Sequence, residues 1–70
     1  MVGEKEKIGL TRREIQVLQL LSEGKTRKEI AVILHIAETT AKTYMERLRD
    51  KFDVSNCSEL VYVASKLNFI

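Results

Sequence analysis

Proline and tryptophan are absent from these 70 residues, and cysteine and histidine occur once each, as Cys57 and His35. Without proline, nothing in the chain forbids a helix. One cysteine excludes an internal disulfide, and one cysteine with one histidine excludes a metal site of the usual kind. Glycine is confined to Gly3, Gly9 and Gly24, so there is no glycine-rich phosphate loop. No nucleophile–base pair or paired-carboxylate pocket is legible either. The expectation is a non-enzyme with no cofactor, no metal and no small-molecule ligand. No apolar run approaches transmembrane length, and Met1 to Lys7 is too short and too charged for a signal peptide. A cytoplasmic chain without membrane contact is expected.

A large excess of one charge is also missing: 12 Lys/Arg against 10 Asp/Glu leave +2. Its distribution says more. Residues 25–53 hold seven basic against five acidic residues, while the flanks balance at four against four and one against one. The surplus therefore falls on one central stretch.

What is present points to one small folded domain. Apolar residues make up 44% and charged residues 31%, a balance that favours folding over disorder. A chain this short needs an efficient core or help from association.

Periodicity divides the chain into four helices after a flexible, charged lead-in over residues 1–9, with Ile8 and Leu10 as anchors. Thr11 and Glu14 form a capping box, Val17, Leu18 and Leu21 repeat at helical spacing, and Gly24 suits a left-handed stop. Thr26 and Glu29 form a second box that opens a short helix through Leu34, with Ile30, Ala31 and Leu34 inward. His35 stands where the turn requires positive φ, a region in which His is enriched. Ile36 returns to the core. The third helix is expected over about 38–52, with Ala41, Met45, Leu48 and Phe52 as its buried stripe. Asn56 and Glu59 open the fourth, whose inward residues are Leu60, Val61, Ala64 and Leu67; Asn68 ends it.

The second and third helices follow one another almost without a spacer, which is the build of a helix-turn-helix. The outer arc of the third carries Thr39, Lys42, Thr43, Glu46, Arg47 and Asp50. Hydroxyls and donors in its first half suit base edges, while Arg47, Arg49 and Lys51 suit phosphates. In isolation the arc reads as a solvated face; its position directly after the turn favours DNA. Tyr44 lies beside the buried stripe and could border both core and groove.

Leu10-Thr11-Arg12-Arg13-Glu14, Val17-Leu18, Leu20-Leu21, Gly24, Lys28-Glu29-Ile30-Ala31, Leu34, Ile36, Thr40, Lys42, Lys51 and Val54 together resemble the LuxR-type (GerE/NarL-like) helix-turn-helix DNA-binding domains. The likeness covers residues 10–70 in one register. It implies an all-α, four-helix (tetrahelical) helix-turn-helix domain that binds inverted repeats in double-stranded DNA. It further implies a homodimer through the last helix, and RNA polymerase as a possible further partner. Carried over by position, it places Lys42, Thr43 and Glu46 at bases and Thr26, Lys28, Thr40, Arg47, Lys51 and Asn56 at the DNA backbone. Tyr62, Val63, Lys66 and Phe69 form the implied dimer face.

Departures from the family pattern carry expectations of their own. Ala37 stands where Ser usually caps the recognition helix, with Glu38 or Thr39 as partial substitutes. Ala41 replaces a usual Val, and Tyr44 a usual His. Glu46 replaces a Lys found in some members; a carboxylate there repels phosphate but accepts from cytosine N4. Gln16 and Cys57 replace a usual Glu and Arg, and the joint loss of such a pair would avoid an orphaned buried charge. Cys57 as a redox sensor has no support from the residues around it in sequence.

The reading that joins these features is a sequence-specific DNA-binding transcription regulator. Two alternatives stay open: an interaction module that keeps the fold without specific DNA binding, and a promoter-recognition domain like that of sigma factors.

Overall fold

The computed structural model describes residues 8–70, which form α1 (Arg12–Ser22), α2 (Arg27–Leu34), α3 (Glu38–Phe52) and α4 (Cys57–Lys66). No strand occurs among the described residues, as the periodicity implied. The expected flexible lead-in falls largely on residues 1–7, outside the described residues. Ile8 and Leu10 both pack against the core, so the folded unit reaches back to residue 8.

Each helix begins as its sequence predicts. The Thr11 hydroxyl accepts from the Glu14 N–H at 3.2 Å, and the Thr11 N–H donates to Glu14 Oε1 at 2.8 Å. Thr26 and Glu29 repeat this box with the same distances. Asn56 Oδ1 accepts from the Glu59 N–H at 2.8 Å. Ala37 caps α3 without any side-chain hydrogen bond, in accord with the expectation that alanine cannot cap.

All four helices end in one way. A left-handed residue follows the last turn at Gly24 (φ 85°), His35 (φ 57°), Asp53 (φ 56°) and Asn68 (φ 64°). Beyond each, the chain folds back to satisfy a free carbonyl: Lys25 N–H to Leu20 O, Ile36 N–H to Ala31 O, Val54 N–H to Arg49 O, and Phe69 N–H to Ala64 O. This is the Schellman closure. Three of the four stops are legible in the sequence. Asp53 is not, because an aspartate in a polar connection carries no distinctive signal for positive φ.

The core is Val17, Leu18, Ile30, Ala31, Ala41, Leu48, Phe52, Leu60 and Ala64, each at most 6% exposed. Helix α3 is its axis and packs against the other three. Small residues at Ala31, Ala41 and Ala64 let the helices approach closely. Met45, Leu34 and Leu67, expected inside, are half-buried at its margin, and Val61, also expected inside, is half-buried without packing against this core. Gln16 is exposed and Cys57 half-buried, so no buried charge was at stake in the Gln16/Cys57 exchange.

The fourth closure also positions the C-terminus. By turning back after Asn68 it lays the Phe69 ring edge-on to Phe52, with centroids 5.2 Å apart and planes at 82°. Phe69 and Val63 are half-buried against the chain's own core, while Tyr62 is 63% exposed, with the Lys66 ammonium 5.4 Å from its ring centroid.

Candidate nucleic-acid interface

Three residues, His35, Ile36 and Ala37, connect α2 to α3. The left-handed His35 reverses the chain, Ile36 anchors it to the core, and the extended Ala37 launches α3. Across this turn the Arg27 Nε lies 3.7 Å from Glu38 Oε1. Both side chains are about half exposed, so this pair contributes little energy. A carboxylate in the first turn of α3 nonetheless complements the dipole of a helix that lacks a side-chain cap.

The burial of Ala41, Leu48 and Phe52 turns the opposite arc of α3 outward. Thr39, Lys42, Thr43, Glu46, Arg47 and Asp50 are all exposed. Lys42, Glu46 and Arg47 make no hydrogen bond or ion pair among the described residues. The Thr43 hydroxyl donates to Thr39 O at 3.0 Å, leaving its lone pairs and methyl group facing out. The arc thus holds two cations and a carboxylate that the fold itself does not consume, beside the Thr43 hydroxyl, whose O–H is spent on Thr39 O, and an exposed Thr40.

The start of α2 offers a second cluster. The Thr26 hydroxyl is exposed and accepts from the Glu29 N–H within its capping box. Lys28 is exposed and without a partner among the described residues. The Glu29 carboxyl is held below its ordinary pKa, first by the Thr26 N–H and then by the Thr26 hydroxyl.

Two expected backbone contacts are already engaged. Asn56 spends Oδ1 on the Glu59 N–H and one Nδ2 hydrogen on Glu59 Oε1, which leaves its second Nδ2 hydrogen and the main-chain N–H groups at the start of α4 for a phosphate. Lys51 Nζ donates to Glu14 Oε1 at 2.7 Å and to Gly9 O at 2.8 Å. Glu14 is 2% exposed, and burial alone would raise its pKa. Hydrogen bonds from Lys51 and the Thr11 N–H, with the Lys51 charge, outweigh burial and hold it below the ordinary value. The pair joins residues 37 apart, and no local pattern announces it.

The family described as "Bacterial regulatory proteins, luxR family" matches residues 9–64. The chain is 44% identical over 66 residues to the uncharacterized transcriptional regulatory protein YhcZ of Bacillus subtilis, covering 93% of this chain and 31% of that protein. It is 40% identical over 58 residues to the uncharacterized response regulatory protein YgeK of Escherichia coli, covering 83% of this chain and 40% of that one. The chain therefore spans well under half the length of these relatives. Among solved structures, the Vibrio cholerae VqmA dimer, described with LuxR-type receptors in the absence of target DNA, superposes with a TM-score of 0.88. The identity there is 34%, over 91% of this chain and 29% of that one.

Proposed function

The chain belongs to the luxR family of bacterial regulatory proteins, as a helix-turn-helix transcription-regulator domain that binds DNA, and we propose how that reading is divided among its residues. Helix α3 enters the major groove. Lys42, Thr43 and Glu46 meet base edges: Lys42 donates to guanine, Glu46 accepts from cytosine N4, and the Thr43 methyl packs on thymine. Thr26, Lys28, Thr40 and Arg47 hold phosphates, joined by the main chain at Asn56. Lys51 keeps one N–H for a phosphate, but its charge is largely balanced by Glu14. The observation that carries this reading is the uncommitted polar arc of α3, directly after a turn built by His35 and Ile36.

One recognition helix spans only a few base pairs, so useful specificity needs two half-sites. Exposed Tyr62 and Lys66, with the outer edges of Val63 and Phe69, supply a homodimer face that matches an inverted repeat. The domain works in the cytoplasm as a binding module rather than an enzyme, with RNA polymerase as a further partner. No helix among the described residues is long and apolar enough to cross a membrane.

Selection of bound duplexes from a random library at two salt concentrations tests the reading. Enrichment of an inverted repeat that survives higher salt is expected. Binding without a motif, lost as salt rises, would overturn it in favour of a protein-interaction module. The outer face of α2, with Val32 69% and Ile33 45% exposed, is the feature that favours that second reading.

A further inference from the structure

Thr40, Tyr44, Arg47 and Lys51 are spaced four, three and four apart, which places them in one row along the flank of α3. The Lys51 contacts with Glu14 and Gly9 show that this row faces the start of α1. Lys51 spends two of its three N–H groups there, which leaves Thr40, Tyr44 and Arg47 as the row's uncommitted side chains.

Tyr44 differs from its neighbours in being half-buried, with its ring packed against the core. It makes no hydrogen bond, ion pair or ring contact among the described residues. No fully buried side-chain oxygen among those residues lacks a hydrogen-bond partner, so the Tyr44 hydroxyl, which has none, keeps some exposure to solvent. A clamped ring thus carries an unused O–H to the protein surface between Thr40 and Arg47. Tyrosine hydroxyls are established donors to phosphate, and a ring already fixed by packing loses little freedom on binding.

Building on the DNA reading above, we propose that the Tyr44 hydroxyl donates to a DNA phosphate, completing with Thr40 and Arg47 a three-residue clamp that sets how deeply α3 sits in the groove. The contact is neutral, so it adds affinity without releasing a counterion. It reads no base, so it acts equally on every sequence.

Tyr44→Phe removes only this hydroxyl and leaves the ring packing in place. Affinities of wild type and variant are measured on the selected duplex and on a random duplex at two salt concentrations, alongside thermal midpoints. A loss of about fivefold on both duplexes is expected, the equivalent of one ordinary hydrogen bond. The salt slope and the thermal midpoint should not move. Unchanged affinity overturns the clamp. A loss confined to the selected duplex assigns the hydroxyl to a base and overturns it too, and a lowered midpoint assigns it to folding. Wild type without DNA affinity would overturn the DNA reading itself, whereas wild-type binding with an indifferent variant overturns only the clamp.

Discussion

The Lys51 ammonium lies 2.7 Å from Glu14 Oε1 and binds the last turn of the recognition helix to the first turn of α1. The two ends of this pair differ in environment. Glu14 is almost wholly enclosed, while the Lys51 side chain is 35% exposed. Glu14 also closes its own capping box, and Lys51 also holds the Gly9 carbonyl. One carboxylate and one ammonium therefore fix the start of α1, the segment entering it, and the far end of α3.

This pair makes stability depend on acid. The Glu14 carboxyl titrates below its unfolded value, so its contribution is complete above the ordinary carboxylate range and is lost as pH falls through the folded value. Glu14→Gln should cost ~1–3 kcal/mol at neutral pH, less than a fully buried pair because Lys51 meets solvent. Urea unfolding at neutral pH and near pH 3 checks this. The gap between wild type and variant should narrow in acid, and a gap that ignores pH would remove the ion pair as its cause.

Ala37 already has the extended backbone of an N-cap, with φ −69° and ψ 151°, and lacks only the acceptor. Ala37→Ser should therefore stabilise the domain by about 1 kcal/mol, which raises the midpoint of a domain this size by roughly 4–8 °C. A thermal melt decides it. No rise would mean that Glu38 already satisfies the start of α3.

Lys42 is exposed, unpaired and centred on the outward arc of α3. Lys42→Ala is expected to weaken binding to the selected duplex by ~1–3 kcal/mol, about the value of one good base contact, and to relax the preference at one base position. Titration of both proteins with the same duplex tests it; equal affinities would take Lys42 out of the base-reading set.

Lys28 and Lys51 are both expected at the DNA backbone, but only Lys28 carries an unbalanced charge. Lys28→Ala should lower the slope of log K against log salt by about 0.9 and leave the thermal midpoint unchanged. Lys51→Met should do the reverse, with a small change in slope and a lower midpoint. Equal slope changes would show that DNA draws Lys51 away from Glu14.

The helices and their order are legible in the sequence because each is specified by residues three or four apart. Thr11 with Glu14, Thr26 with Glu29 and Asn56 with Glu59 mark the starts, and Gly24, His35 and Asn68 mark three of the stops. The outward arc of α3 follows from Ala41, Leu48 and Phe52 by the same short-range logic. Lys42, Glu46 and Arg47 could be named as exposed donors and acceptors on that basis. The resemblance in residues added which of them face bases, a matter that helical spacing does not address.

Tertiary structure alone decided which of those residues are free to act. Nothing within a few residues of Lys51 indicates that its charge is spent on a carboxylate 37 positions earlier. Nothing near Phe69 shows that a backbone turn at Asn68 will set its ring edge-on to Phe52. The role proposed for Tyr44 rests on the same kind of information, a ring packed against the core with a hydroxyl that no other described residue engages. Helical period and capping are local properties and survive in the sequence. The partner of a long side chain is set by how whole helices pack, and that is decided only when the chain has folded.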